Sequence, residues 1–268
     1  MSVRASRYFT ASNEPGAPPP SWLVRALNFG IALLAVSLVF CFSFWNLQYH
    51  LRWDSIYPYR RMFVQGWLAT IWISAAALVA STVGGFCSAL AQRSRFMPLR
   101  YLSKIYVEIV RGTPLLAQIL IFFYVVAPAF HVGDRYRYLV GILTLAFFSG
   151  AYISEIIRAG IESVGRSQLE SAKAIGLTRA QTYRYVIIPQ AVRQTLPPLA
   201  GQFVSLVKDS SLLSIIGISE FTLNAEMVNA RTYSTLESYL PLAAGYLVLT
   251  LPISIWTRRL EQRHKFET

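Results

Sequence analysis

The stretch SQLESAKAIGLTRAQTYRYVIIP occupies residues 167–189. It is polar and basic, and it stands between two segments apolar enough to cross a membrane. Its punctuation predicts two short helices. Ser167 followed by Glu170, and Thr178 followed by Gln181, have the spacing at which a hydroxyl and a longer polar side chain cap a helix start reciprocally. Gly176 lies between those two starts, where a helix end favours a residue that tolerates the left-handed conformation. Pro189 closes the unit. A membrane protein that folds a compact helical unit in an aqueous loop is expected to touch something with it.

The composition around this stretch explains the setting. The chain has 268 residues, 54% hydrophobic and only 14% charged. A soluble domain carries about 25% charged residues, so the deficit predicts a membrane protein. The net charge is +12, but the cations are scattered between apolar segments. That pattern fits cytoplasmic loops and does not form the single basic stripe of a nucleic-acid binder. Cys41 and Cys87 each fall within an apolar span and have no metal spacing, and His50, His131 and His264 are far apart. These are read as packing and surface residues.

Six membrane spans are expected: 23–45, 64–91, 112–130, 138–154, 194–219 and 238–257, each near the length of about 20 residues that a bilayer requires. The fourth can run on past Glu155. Residues 1–22 form a Ser/Pro/Gly-rich tail, expected to be extended. The first apolar stretch is too long for a signal-peptide core and has no cleavage site, so it is expected to stay. Alternate loops carry eighteen and six Lys or Arg residues, leaving out Lys208 inside a span. The richer side is the cytoplasm, which puts both termini and residues 167–189 inside. There is no internal repeat.

No phosphate-cradling glycine loop is present, nor any G-x-S-x-G, H-E-x-x-H or C-x-x-C pattern. If ATP drives this protein, another chain must bind it. ESAKAIGLTRAQTYRYVIIPQA resembles the cytoplasmic EAA loop in the membrane subunits of binding-protein-dependent ABC importers. Glu170, Ser171, Ala172, Gly176 and Pro189 match its pattern, with Ser171 standing where the family has Ala. VEIVRGTPLLAQILIFFY (107–124), GAYISEIIRAGIESVGRSQLESAKAIG (150–176), KDSSLLSIIG (208–217) and SEFTLNAEMVNARTY (219–233) resemble the polar amino-acid branch of that family, the histidine, glutamine and glutamate/aspartate permeases. The last of these stretches leans towards acidic amino acids. The resemblance covers residues 60–260; the tail and the first span, 23–45, lie outside it.

The resemblance implies an all-α polytopic bundle with six transmembrane helices, a five-helix type I importer core plus an extra N-terminal helix. It implies a bacterial inner-membrane protein that does no chemistry itself. The implied partners are a cytoplasmic ATPase pair carrying ATP and Mg, a second permease (homologous or identical), an extracytoplasmic amino-acid-binding protein and the lipid bilayer, with no nucleic acid. Glu170, Ser171, Ala172, Gly176, Leu177 and Pro189 would then form the coupling helix that lies in a groove of the ATPase. A stiff, capped helical unit transmits a push that a slack loop would lose. Without the resemblance, the same residues also suit an amphipathic helix resting on lipid headgroups.

Three other sets of residues are candidates. Glu108 with Arg111, and Glu155 with Arg158, are three apart and can pair on one helix face. They serve either as helix-end pairs or as a cytoplasmic gate. Lys208 and Asp209 fall near the middle of the fifth expected span, where charge is costly and faces a cavity or a partner. Gln202, Ser205 and Asp209 share a helix face that suits a translocation path. Lys208 and Asp209 could meet the two charged ends of an amino acid, or they could simply pin the bundle as a structural pair. Gly84–Gly85 and Gly150–Ala151 read as sites of close helix packing. Trp45, Trp53, Tyr57, Tyr59 and Trp67 read as an interfacial belt, and also as a landing surface for a binding protein. The competing reading of the whole chain is an ion-coupled secondary transporter with Asp209 and Glu155 as its coupling carboxylates.

Overall fold

The computed structural model describes residues 21–47 and 49–264, and everything described is helix, turn or short connection. Two units are distinct, residues 1–51 and 52–268. The first unit contains α1 (Trp22–Leu47), a helix with no charged residue after Arg25, long and apolar enough to cross a membrane. The expected tail before residue 21 lies outside the described residues.

The second unit contains α2 (Trp53–Gln92), α3 (Met97–Gly112), α4 (Leu115–Ala129), α5 (Asp134–Glu162), α6 (Arg166–Ala174), α7 (Arg179–Ile216), α8 (Phe221–Thr232) and α9 (Thr235–His264). Among the described residues five helices, α1 included, are long and apolar enough to span a membrane. There are six spans if the bent pair α3–α4 counts as one.

The centre of the bundle is the packing of α2 on α5. Along α2 the buried face reads Gly66, Thr70, Ser74, Ala77, Ser81, Gly85 and Ala89, small residues three or four apart. Small residues at that spacing let helix backbones approach closely where lipid removes the hydrophobic drive to associate. Gly85 meets α5 at Gly150: a Cβ on Gly85 would lie 2.7 Å from Ile153 and 2.8 Å from the Gly150 carbonyl oxygen. The expectation for the glycine pairs therefore applies to Gly85 and Gly150, but a Cβ on Gly84 would meet nothing within 4 Å. Ile73, Ile119, Ile142, Leu145, Leu206, Leu213 and Ile218 fill the main core from five segments of the chain.

Several boundaries differ from those expected, each for a local reason. The third span does not begin at Gly112. Gly112 ends α3, and the axis turns by 111° before α4. Pro114 disfavours helical geometry at the residue before it, and Thr113 is extended at φ −120°, ψ 147°. The Gln118 amide pins the turn, donating to the Val110 carbonyl and the Thr113 hydroxyl, both at 2.8 Å.

Pro189 does not close the 167–189 unit. It lies inside α7, which starts at Arg179 and not at Gln194. A proline has no N–H to give the preceding turn, and the chain absorbs this with a π-helical turn at Tyr183–Ile187, where the Ile188 amide reaches back to the Tyr183 carbonyl. The same device, Phe122–Val126, precedes Pro128 in α4. The expected second short helix is thus the first turn of a long one.

Candidate functional site

Two features stand together at one end of the second unit: a helical corner and a charged cleft beside it. The corner is built by α6 and the start of α7. The Gly176 amide bonds the Lys173 carbonyl and the Leu177 amide bonds the Ala172 carbonyl, both at 3.0 Å. This is the double closure of a helix C-terminus by a residue in the left-handed region, and Gly176 has φ +78°. At the next start, the Thr178 amide donates to Gln181 Oε1 at 2.9 Å and the Gln181 amide donates to Thr178 Oγ1 at 3.3 Å. The capping box expected at Thr178 is present.

The capping box expected at Ser167 is not. Gly165 (φ −59°, ψ 146°) is the last residue outside α6, so Ser167 is already helical and its hydroxyl cannot serve as the cap. Glu170 is five residues into α6 and exposed, too far along to cap it. Ala172 is buried under the corner, Leu177 is half-buried, and Ser171 is exposed. Ile175, at the tip, is 76% exposed. Sequence reasoning missed it, although an isoleucine in a polar loop is a readable signal.

The cleft has a volume of about 890 Å³ and is bounded by α2, α3, α5 and α7. Its charged lining is Arg93, Arg100, Lys104, Glu108, Glu155, Arg158 and Glu162, with Tyr183 and Ile188 of α7 at its edge. α3 runs back along α2, joined by the Ser88–Ser103 hydroxyl pair at 2.8 Å. It reaches α5, where the Tyr106 hydroxyl donates to the Phe147 carbonyl at 2.6 Å. Arg111 at its end therefore faces α5.

The expected Glu108–Arg111 pair does not form: Arg111 bonds Glu155 across the helices at 3.1 Å. Glu108 has no ion pair among the described residues. The interhelical partner wins because Glu155 stands opposite Arg111 where α3 packs on α5. The expected Glu155–Arg158 pair is present, and Arg158 also pairs with Glu162. The result is one alternating chain, Arg111–Glu155–Arg158–Glu162, whose last three members line the cleft. Beyond the corner, α7 is tied to the neighbouring helices by Arg93 Nη2 donating to Tyr183 Oη at 3.0 Å, and by a Ser163–Gln194 hydrogen bond.

Lys208 and Asp209 stand in the last third of α7, away from the corner. No ion pair joins them among the described residues, so the pinning-pair reading finds no geometry here. Since α7 begins at Arg179, their count along the helix no longer sets them at mid-membrane. Gln202 donates to the Ser149 hydroxyl on α5 at 3.2 Å; Ser205 and Asp209 are half-buried and Lys208 is exposed. A separate cavity of about 360 Å³ beside Phe203 and Leu206 is lined almost wholly by apolar side chains, unsuited to a zwitterion.

The segment before the last span holds residues that sequence reasoning passed over. Glu220 is fully buried and caps α8, accepting from the Thr222 and Leu223 amides at 2.8 Å each and from the Tyr246 hydroxyl at 3.1 Å. Burial pushes its carboxyl up from the ordinary range, and the two amides and the tyrosine pull against that. Glu237 is equally buried and accepts from the Arg52 amide. Glu220→Ala strands two amides and a hydroxyl, and is expected to lower stability by about 2 kcal/mol or more. Thermal unfolding of the purified protein measures this; Glu220→Gln, which keeps an acceptor, should lose less.

The chain is similar to known proteins over most of its length. Residues 80–266 match the family described as the binding-protein-dependent transport system inner membrane component. The glutamine transport system permease protein GlnP of Escherichia coli strain K12 is 33% identical over 213 residues, 80% of this chain and 97% of that one. The probable glutamine ABC transporter permease protein GlnM of Bacillus subtilis strain 168 is 36% identical over 202 residues, 75% of this chain and 93% of that one. The crystal structure of an amino acid ABC transporter with histidines superposes with a TM-score of 0.74 at 35% identity, over 80% of this chain and all of that one. The inward-facing MetNI methionine ABC transporter shares the fold, with a TM-score of 0.61 at 16% identity.

Proposed function

Because this chain belongs to the binding-protein-dependent inner-membrane permeases, in their polar amino-acid branch, we propose that it is one of two permease subunits through which a separate ATPase pair drives amino-acid uptake by alternating access. The chain itself is a transport subunit and not an enzyme. The observation that carries the reading is the capped corner at residues 166–182, with its tip Ile175 exposed and its base continuous with the long helix α7.

ATP and Mg belong to the partner ATPases. As those close, each corner, with Glu170, Ser171, Ala172, Gly176 and Leu177, receives the push. Pro189 lies within α7, just past the π turn at Tyr183–Ile187 that follows the corner. A displacement at Arg179 moves α7 as a body, and the Arg93–Tyr183 and Ser163–Gln194 contacts carry it to the cleft wall. The chain Arg111–Glu155–Arg158–Glu162 then acts as the inner gate. It is made of charges that can exchange partners at small cost because they are partly hydrated. Gln202, Ser205, Lys208 and Asp209 line the path further along α7. An extracytoplasmic binding protein delivers the substrate, and both termini are cytoplasmic, as the distribution of Lys and Arg supports.

Glutamine is the first candidate substrate, since the similar permeases GlnP and GlnM carry that name. An acidic amino acid, towards which residues 219–233 lean, is the second.

Reconstitution in liposomes tests the reading. Uptake is expected only when the ATPase, the binding protein and internal or external ATP on the ATPase side are all present. Uptake by the chain alone, driven by an ion gradient, would instead establish the secondary-transporter alternative. In the complete system, Lys208→Met with Asp209→Asn is expected to cut uptake at least tenfold while the complex still assembles. Normal uptake by that double variant removes both residues from the path.

A further inference from the structure

The end of α2 remote from the corner carries an aromatic and cationic platform, tied together from α2, α8 and α9. The fully buried Ser234 hydroxyl pairs with the Ser55 hydroxyl at 2.7 Å, and the Glu237 carboxylate accepts from the Arg52 amide. The Asn224 side-chain amide donates to the Met62 carbonyl at 2.8 Å. Arg231 lies over the Tyr59 ring, 5.9 Å from its centre, and Arg60 over the Tyr57 ring at 4.6 Å. Arg52, Arg60, Arg61 and Arg231 are all exposed, and none of them makes an ion pair among the described residues. The exposed acids of residues 52–62 and 226–237 are Asp54 and Glu226, so positive charge is in excess. Tyr233 precedes Ser234 in the turn between α8 and α9. It is 82% exposed, yet its backbone is left-handed at φ 52°, ψ 30°, where a residue with a Cβ is strained. Glycine would close α8 with less strain, and the exposed ring adds little to the packing of this chain. Strain kept for a side chain that the fold does not need points to a use outside the fold.

Tyrosine and arginine suit lipid headgroups as well as protein partners, and depth separates the two. From Arg60 to Gln92 the helix has 33 residues, about 50 Å at 1.5 Å per residue, against about 40–45 Å for a bilayer with its headgroups. Arg93, at the other end, bonds Tyr183 just past the corner. With the corner at the cytoplasmic surface, the platform stands at or beyond the opposite headgroups, in reach of a protein in the outer compartment. We propose that it docks an acidic face of the extracytoplasmic binding protein, with Tyr233 as the anchor and Arg60, Arg61 and Arg231 as the charges that steer and hold the partner. This rests on the uptake function proposed above, in a family described as binding-protein-dependent. The Ser234–Ser55 and Asn224–Met62 contacts then join the docked surface to α2 at the centre of the bundle.

The test measures the affinity of the assembled transporter, held in nanodiscs, for the binding protein that supports uptake in liposomes. Tyr233→Gly removes the ring and leaves a backbone that glycine adopts freely. It is expected to weaken docking roughly thirtyfold, as loss of an interface anchor does, while the unfolding temperature of the transporter stays at or above that of the unchanged protein. Tyr233→Phe, which keeps the ring, should retain most of the affinity. Arg60→Glu with Arg231→Glu is expected to weaken docking at least tenfold. Added salt should weaken docking of the unchanged protein more steeply than that of the charge-reversed variant. Unchanged affinity in Tyr233→Gly or in the charge-reversed variant, the result that a belt resting on headgroups would give, overturns the proposal. So does an affinity indifferent to salt. If no binding protein supports uptake by the unchanged transporter, the uptake function itself fails and the docking proposal with it. That result is distinct from a working transporter whose Tyr233→Gly variant docks as well as before.

Discussion

Replacing Ile175 with glutamate is expected to abolish ATP-driven uptake while the permease still inserts and folds. Ile175 is 76% exposed at the tip of the corner, so glutamate there disturbs no contact within this chain. A large apolar side chain left in water on a rigid turn is the kind of group that anchors a partner. Loss of such an anchor typically costs 2 kcal/mol or more of binding, roughly a thirtyfold loss of affinity for the ATPase. A bulky residue at Gly176 should act in the same direction by another route. A Cβ there has room, but the φ of +78° costs an L-residue about 1–2 kcal/mol, so the closure of α6 would loosen. Co-purification of the ATPase and uptake measure both variants. If either retains full uptake with the ATPase bound, the corner is not the lever.

The second large effect is structural. Gly85→Leu is expected to prevent assembly of the bundle, because its side chain must enter space held by Ile153 and the Gly150 carbonyl. Backbone cannot move aside as a side chain can, so the cost should reach or exceed the upper end of the roughly 1–3 kcal/mol typical of overpacking. Gly84→Leu is the internal control: the neighbouring glycine meets nothing within 4 Å and should be tolerated in the isolated subunit. Yield of monodisperse protein and its unfolding temperature separate the two.

The apolar runs were readable because a bilayer demands them: five of the six expected spans have a helix long enough to cross, and the third is represented only by the bent pair α3–α4. Their ends were less readable. Thr113–Pro114 breaks one run and Pro189 does not break another, and the difference depends on whether the chain can insert a π turn before the proline. Charge pairing within a helix was readable at Glu155–Arg158, three residues apart on one face. Arg111 took a partner 44 positions away, because the register of α3 against α5 is set by Gly150, Tyr106 and Phe147 packing together. Thr178 and Gly176 disclosed the corner from local rules alone. The start of α6 did not, since Gly165 could adopt the extended geometry before Ser167 had the chance. Buried Glu220 looked like an ordinary loop acid, and only the fold brings Thr70 and Tyr246 around it.

Cross-linking from the tip of the corner is the most direct test of its role. With Cys41 and Cys87 changed to serine, Ile175→Cys supplies a single thiol in this chain at the exposed large apolar position of residues 166–182. In membranes holding the complete transporter, a short thiol-reactive cross-linker is expected to join it to the ATPase, with a yield that changes when ATP is trapped. A thiol reached by membrane-impermeant reagents from the binding-protein side, or a transport-active complex in which position 175 never joins the ATPase, contradicts the proposed coupling.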